Sequence, residues 1–144
     1  MSAAPGDRPL PVSDSDSEPF WAALREERLQ VQRCLQCHRH LFYPRALCPH
    51  CHSSDLEWVP VAGTGTIYSY TVARRPAGPA FAADVPYVLV LVDLDEGVRM
   101  LSRLVPPDVD AVRIGARVTV GFDAVSDDVT LPVFSLVGDA STSR

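Results

Sequence analysis

All four cysteines of the chain lie in one short stretch, CLQCHRHLFYPRALCPHC, which spans residues 34 to 51. They form two Cys-x-x-Cys pairs, and ten residues separate one pair from the other. This spacing is typical of two tight turns that fold onto one tetrahedral metal ion, and four thiolates leave that ion no open position for catalysis. The stretch therefore predicts a small ribbon held by a structural Zn²⁺ ion, with iron in a similar four-sulfur site as the alternative. The expected ligands are Cys34, Cys37, Cys48 and Cys51.

The sequence around the cysteines argues against two other uses of these pairs. A redox Cys-x-x-Cys pair usually stands alone at the start of a helix, and a disulfide framework requires secretion. The N-terminal sequence MSAAPGDRPLPVSDSDSE has neither the basic start nor the apolar stretch of a secretory signal. No run of the chain approaches the roughly 18 to 20 apolar residues of a membrane span. We therefore expect a cytoplasmic protein that is not associated with a membrane.

A short amphipathic helix is predicted immediately before the ribbon, over residues 17 to 29. Ser17 is a candidate N-cap, and the apolar side of the helix carries Phe20, Trp21 and Leu24. This apolar side is large for so short a helix, so we expect these three residues to contact a partner chain. Packing of the helix onto its own domain is the alternative.

Five strand-like runs follow the ribbon, rich in Val, Ile, Thr and aromatic residues and bounded by Gly, Pro and Asp. They read GTGTIYSYTVARR, PYVLVLVDLDEG, VRMLSRLV, ARVTVGFDAV and VTLPVFSLV. A longer link joins the third run to the fourth, which is typical of a five-stranded OB barrel. Gly63 and Gly65 predict a bulge that bends the first strand. The second run is apolar on both faces, so we expect both faces to be covered.

Together these segments predict a mainly β chain with two small domains. The expected organisation is a disordered arm over residues 1 to 16, a helix over 17 to 29, a zinc ribbon over 30 to 60, an OB barrel over 61 to 138 and a disordered tail over 139 to 144.

The charge of the chain bears on which partners it can bind. The net charge is −5 and the isoelectric point is near 5.2. The chain has no lysine, and its thirteen cationic residues are arginines scattered along the sequence. Proteins that bind single-stranded nucleic acid normally present a positive groove lined with aromatic residues. A nucleic-acid module, for which OB barrels and zinc ribbons are both used, is therefore the alternative function and not the favoured one.

The order of the segments resembles a known family, the rubredoxin-like zinc-ribbon plus OB-fold proteins described as acyl-CoA-associated. The similarity runs from about Glu18 to Val137, and its most specific parts are the CxxC…CPxC knuckles, the FYPR loop, DLEWVPVAGTGTIYSYTV and the DEGVR hairpin. Proteins of this family are typically small partners of thiolase-like condensing, cleaving or acyl-transferring enzymes, and sometimes of hydratases that act on the same CoA esters.

The resemblance implies that the chain is a noncatalytic subunit of such a complex and that the partner supplies the catalytic residues. If the partner is a thiolase-like dimer, symmetry favours a two-plus-two heterotetramer. A free-standing acyl-CoA-binding protein is a further alternative. The residues agree with a noncatalytic role, because the four thiols are expected to bind metal, every histidine lies in the ribbon and no serine has a nucleophile-elbow pattern.

A CoA ester needs cations for its phosphates and an apolar slot for its pantetheine and acyl groups. The candidate acyl-CoA-binding residues are three arginines and three aromatic residues: Arg45, Arg74 and Arg75, and Phe42, Tyr43 and Phe81. For the arginines the alternative is a solvated surface charge. For Phe42 and Tyr43 it is packing of the ribbon against the barrel.

The acidic balance of the chain predicts weak binding to nucleic acid. At physiological salt we expect no affinity for a single-stranded DNA or RNA oligonucleotide tighter than the nonspecific range of about 1 to 100 μM. Fluorescence anisotropy at two salt concentrations measures this affinity. A tighter affinity that falls as salt rises would favour the nucleic-acid alternative.

Overall fold

The computed structural model describes residues 10 to 137 and has the mainly β architecture that the sequence predicts. One helix precedes two sheets and a short 3-10 helix. The elements are α1 (Glu18–Arg25), β1 (Gln30–Cys34), β2 (His40–Leu41), β3 (Leu56–Pro60), β4 (Thr64–Ala73), the 3-10 helix Pro79–Asp84, β5 (Tyr87–Leu94), β6 (Arg99–Leu104), β7 (Arg117–Ala124) and β8 (Thr130–Leu136). The predicted tail and the first nine residues of the predicted arm lie outside the described residues.

The strands form a ribbon sheet and a closed barrel. In the ribbon, β1 is the central strand and pairs antiparallel with both β2 and β3. In the barrel the order is β4-β5-β6-β8-β7, and β7 returns to pair with β4. The pairing of β6 with β8 is parallel, whereas the other barrel pairs are antiparallel. This is the five-stranded OB barrel that the strand pattern predicts. Among the described residues no helix is long and apolar enough to cross a bilayer.

The helix α1 packs onto its own chain, which was the alternative to a partner contact. Phe20 and Leu24 are 2% and 0% exposed, and Trp21 is also buried. All three belong to one core cluster with barrel residues such as Phe134 and Val88. These side chains are therefore largely buried within the chain itself, and little of their surface remains for a second chain.

The turn before α1 explains how the buried start of the helix satisfies its polar groups. The carboxylate of Asp14 accepts hydrogen bonds from the backbone N–H and the hydroxyl of Ser17. The Ser17 hydroxyl in turn accepts a hydrogen bond from the indole Nε1 of Trp21, at 3.2 Å. Ser17 stands at the N-cap position but does not cap the helix with its side chain. These bonds also give the end of the predicted disordered arm a fixed local structure at Asp14.

The alternation of β5 decides what faces the barrel core and what faces outward. Val88, Val90 and Val92 are fully buried inside the barrel. Leu89 and Leu91 point to the opposite face of the strand, as period-two geometry requires, and remain half-buried. The strand is therefore apolar on both faces, and the chain covers only its inner face completely.

The two glycines of the first barrel strand act through close approach rather than through a bulge at their own positions. The shift in register along β4 falls between Ile67 and Ser69 instead. A Cβ atom at Gly65 would lie 2.5 Å from the carbonyl oxygen of Asp93, so only glycine lets β4 and β5 pair here. Gly63 has a φ of +83°, which other residues rarely adopt.

One ionic network fastens the barrel where β4, β5 and β7 meet. The carboxylate of Asp95 accepts hydrogen bonds from the Arg117 guanidinium at 2.8 and 2.9 Å and from the Thr64 hydroxyl at 2.6 Å. These donors hold the pKa of Asp95 well below its usual range. Arg117 and Asp95 are both half-exposed, so we expect their ion pair to contribute little to the free energy of unfolding.

The glycine contact can be tested with a matched pair of strand variants. Gly65→Ala forces a methyl group against the backbone of β5, and we expect it to lower the free energy of unfolding by about 2 kcal/mol. Gly121→Ala, in β7, meets nothing closer than 3.6 Å. It should leave stability within about 1 kcal/mol of the unsubstituted chain, because it mainly restricts the unfolded state. Urea unfolding measures both, and equal losses would contradict the close approach at Gly65.

Candidate metal centre and interdomain cleft

The four cysteines come together at one end of the ribbon sheet. All four Sγ atoms lie within 4.8 Å of one another. Cys34 Sγ is 3.5 Å from Cys51 Sγ, and Cys37 Sγ is 3.7 Å from Cys48 Sγ. These separations are far longer than a disulfide bond and close to the roughly 3.8 Å between sulfurs that share a tetrahedral Zn²⁺ ion at about 2.3 Å. The donor set therefore fits zinc.

The two Cys-x-x-Cys pairs adopt the same local structure. In the first knuckle the backbone N–H groups of Gln36 and Cys37 point at Cys34 Sγ, at 3.3 and 3.4 Å. In the second, the N–H of His50 points at Cys48 Sγ at 3.3 Å. His38 and His52 follow the knuckles with a φ of +68° each, which turns the chain sharply. The sulfurs thus receive backbone donors that favour their thiolate form.

The acidity of the thiols shows why a cation is needed to hold them together. The N–H of Cys37 lowers the pKa of Cys34 to about 6, in spite of its burial. At Cys51 the N–H of Ser53 lowers the pKa. Burial and the three neighbouring thiols outweigh this effect and raise the pKa of Cys51 to about 12. Burial and the neighbouring sulfurs therefore oppose ionisation of Cys51. A divalent cation offsets this opposition.

A buried glutamine connects the ribbon to the loop between the knuckles. Gln32, in β1, accepts a hydrogen bond from the backbone N–H of Arg45 at 2.7 Å and donates one to the Arg45 carbonyl oxygen at 2.8 Å. Only 6% of Gln32 is exposed. We call residues 42 to 45 the FYPR loop. The two bonds fix the end of this loop against β1, two residues before the metal ligand Cys34.

An apolar cleft of about 410 Å³ lies between the helix, the FYPR loop and the outer face of the barrel, and we call it the interdomain cleft. Aromatic rings from α1 and the FYPR loop form one wall, with Phe20 packed edge-on against Phe42 and Tyr43. The barrel supplies the rest of the lining. The lining residues are Phe20, Trp21, Phe42, Tyr43, Leu89, Met100, Leu101, Ser102, Arg103, Leu131, Pro132 and Val133.

The predicted acyl-CoA-binding residues fall into two groups. Phe42 and Tyr43 line the interdomain cleft, where they also join the ribbon to α1, and Arg45 follows them in the FYPR loop. The second group lies on the connection between β4 and β5. There Arg74 and Arg75 are exposed, and the ring of Phe81 lies 6.1 Å from that of Tyr87. No arginine of the prediction lines the cleft, at least among the residues that the structure describes.

Arg103 is a cleft residue that the sequence analysis did not select. It lies in β6, and its guanidinium faces Asp84 at 3.7 Å and the ring of Tyr87 at 5.6 Å. It therefore stands between the cleft and the connection that carries Phe81. Period-two alternation gives the signal that identifies it, because Leu101 and Arg103 share the outer face of β6.

An exposed apolar surface continues from the cleft across the barrel. It contains Leu101, which is 64% exposed, together with Tyr70, Leu89 and Leu91. These four residues line a shallow depression of about 160 Å³ that shares Leu89 and Leu101 with the cleft. We call them the exterior apolar strip. Tyr68, which is also half-exposed, differs from these residues because the Arg99 guanidinium lies over one face of its ring, 3.4 Å from the centroid.

A second cavity, of about 440 Å³, lies near the end of β8 and is more polar. It is bounded by Val137, where the described residues end, and by Arg117, which is engaged with Asp95. Its lining gathers no set of groups that indicates a ligand.

Comparison with known proteins finds matches to two protein-family models. The model described as ChsH2, rubredoxin-like zinc ribbon domain, matches residues 21–57. The model described as ChsH2, C-terminal OB-fold domain, matches residues 58–123. The two matches are consecutive and cover most of the helix, the ribbon and most of the barrel.

Several curated proteins are similar to this chain over most of its length. A probable enoyl-CoA hydratase alpha subunit from Thermomonospora curvata is 41% identical over 88% of this chain, which spans 39% of that protein. A DUF35 domain-containing scaffold protein from Methanothermobacter thermautotrophicus is 37% identical, over 69% of this chain and 75% of that protein. The benzoylsuccinyl-CoA thiolase subunit BbsA of Geobacter metallireducens is 31% identical, over 74% and 70%.

A solved structure, the Ltp2-ChsH2(DUF35) aldolase, contains a chain with the same fold. That chain superposes with a TM-score of 0.81 at 39% identity. The match covers 90% of this chain and 100% of that one.

Metal removal should affect the two domains unequally. We expect about one zinc ion per chain in freshly purified protein, and we expect Cys34→Ser or chelation to increase backbone hydrogen exchange over residues 34 to 56. The strands of the barrel should keep their protection, because their core does not include the knuckles. His50→Ala, in the second knuckle but outside the thiol cluster, is the control and should retain zinc. Elemental analysis that finds neither zinc nor iron would rule out the metal centre.

Proposed function

Since this chain belongs to the ChsH2 (DUF35) family of zinc-ribbon and OB-fold proteins, we propose that it is an accessory subunit of a thiolase-like enzyme. In this proposal it binds that enzyme, helps to form the enzyme's acyl-CoA site and contributes no catalytic residue. The metal ion is a structural Zn²⁺ ion, because four thiolates complete its coordination. The observation that carries the proposal is the similarity to a chain of the Ltp2-ChsH2(DUF35) aldolase, which covers 90% of this chain and 100% of that one.

The relatives support a role in a complex. They include a protein named as a scaffold, a thiolase subunit and a hydratase subunit. Two of these names describe a subunit of an enzyme that acts on a CoA ester, and the third describes a scaffold. If the partner of this chain is a thiolase-like dimer, one copy on each half gives a two-plus-two heterotetramer. Four reduced thiols at a metal site suit the cytoplasm.

The exterior apolar strip supports the same proposal physically. It contains a leucine that is largely exposed and a tyrosine beside it, on a barrel face that no element of the chain covers among the described residues. Contiguous apolar surface of this kind commonly marks a protein–protein contact. The proposed contact surface is therefore the strip, rather than the residues Phe20, Trp21 and Leu24 that the sequence suggested, because the chain's own core already buries those three.

The two groups of candidate acyl-CoA residues are proposed to act at the edge of the partner's site. Gln32 holds the backbone of Arg45 in place, so this arginine projects from a defined position. Arg74 and Arg75 end β4 and precede the connection that carries Phe81. Arginine forks suit the phosphates of CoA, and the ring of Phe81 suits its adenine or its apolar arm.

Association can be tested with two variants that differ only in position. Leu101 and Ile114 are 64% and 66% exposed, and Ile114 lies in the turn before β7, outside both the strip and the cleft. The companion enzyme is first identified by affinity purification from native cells and mass spectrometry, and then produced separately. Leu101→Arg should weaken its binding by tenfold or more, since a charge in an apolar contact costs about 2 kcal/mol. Ile114→Arg should change binding less than twofold.

Light scattering after size-exclusion chromatography and turnover of the CoA ester complete the test. The complex should be active and the isolated chain inactive. Two results would contradict the proposed function. One is a chain that forms no complex with any thiolase-like enzyme tried, and the other is an isolated chain that converts a CoA ester.

A further inference from the structure

The aromatic wall of the interdomain cleft is built from three rings that come from two separate parts of the chain. Phe20 comes from α1, and Phe42 and Tyr43 come from the FYPR loop, with ring centroids 5.4 to 6.2 Å apart in edge-on pairs. Each ring contacts the other two. Tyr43 remains 44% exposed at the mouth of the cleft. Such a wall favours a bulky apolar group on the opposite side.

The polar groups of the cleft are satisfied with one exception. The hydroxyl of Ser102 donates to the Pro132 carbonyl oxygen at 2.7 Å, and the Trp21 indole donates to Ser17. Arg103 Nε is buried and has no hydrogen-bond partner among residues 10 to 137. A buried donor without an acceptor is costly, so an occupant that brings an acceptor to Arg103 gains affinity from it.

Among residues 10 to 137, no segment of the chain fills the cleft. An apolar cleft that the described residues leave open suits an occupant from another molecule.

Two observations favour a protein over a CoA ester as that molecule. Arg45, Arg74 and Arg75 do not line the cleft, so the phosphates of CoA would meet only Arg103 there. The cleft is also continuous with the exterior apolar strip through Leu89 and Leu101. A small ligand would leave the strip exposed, whereas one protein surface can cover the strip and fill the cleft together.

We infer that the interdomain cleft receives a large apolar side chain of the thiolase-like partner, and that a neighbouring backbone or carboxylate oxygen of the partner accepts a hydrogen bond from Arg103. This inference rests on the proposed function. It assigns to the helix, the ribbon loop and the barrel a joint role, since each supplies part of the anchoring site. The metal-held ribbon thereby becomes part of the recognition surface.

The test uses the companion enzyme identified above and variants of the full chain. Leu131→Trp places a larger side chain in the cleft, and Ile114→Trp is the matched control on a surface outside it. Arg103→Met removes the donor and keeps most of the side-chain length, with Arg113→Met as its control. We expect Leu131→Trp and Arg103→Met each to weaken binding of the enzyme by tenfold or more, mainly through faster dissociation. Both controls should stay within twofold of the unsubstituted chain.

A second measurement does not depend on how well these variants fold. A benzophenone amino acid at position 43, at the mouth of the cleft, should crosslink to the enzyme on illumination. Mass spectrometry should place the crosslink within a few residues of a large apolar side chain. Melting temperatures of the free variants, within a few degrees of the unsubstituted chain, show that a loss of binding is local.

The outcomes separate the inference from the proposed function. A complex that forms with normal affinity from Leu131→Trp, and that gives no crosslink at position 43, overturns the cleft assignment and leaves the proposed function standing. If Leu131→Trp abolishes binding of a CoA ester but not of the enzyme, the cleft takes a small molecule and the inference is also overturned. A chain that binds no thiolase-like enzyme at all overturns both the cleft inference and the proposed function.

Discussion

Repulsion among four clustered thiolates is the constraint on which the ribbon and its loop depend. The knuckles bring the sulfurs within 4.8 Å, a separation at which a divalent cation would offset the repulsion between thiolates. A cation held by the four sulfurs would fix Cys34, which is the last residue of β1. Gln32 in the same strand holds Arg45, so the position of the FYPR loop follows from the metal centre through two hydrogen bonds. The aromatic wall of the interdomain cleft is the consequence.

The helix illustrates how an apolar segment can be needed inside the chain although its pattern suggests an outside contact. The ribbon alone is too small to bury Phe20 and Leu24, but the barrel presents β8 beside α1 and completes the burial. The apolar surface that remains is on the outer face of β5 and β6, where Leu89 and Leu101 have no covering element among the described residues. The exposed apolar surface thus lies on the barrel and not on the helix.

The sequence predicted the parts of this protein that local chemistry determines. The spacing of the cysteines predicted their convergence, and the period-two runs predicted five strands and an OB barrel, both of which the structure confirms. The helix contact, the close approach of the backbones at Gly65 and the place of Arg103 in the cleft were beyond it. Each depends on which residues meet across the fold: β8 against α1, Asp93 against Gly65, and Asp84 beside Arg103. Periodicity gives the face of a side chain, but not its neighbour.

The central claim is that the barrel's outer face and the cleft together form one surface for a thiolase-like partner. Hydroxyl-radical footprinting of the chain, alone and in the purified complex, tests it most directly because it reports the exposure of individual side chains. Our account predicts that oxidation of Tyr43, Tyr70 and Leu101 falls several-fold in the complex, while Ile114 and Val12 react as they do in the free chain. Unchanged oxidation of Tyr70 and Leu101 in a complex that protects other residues would contradict the account.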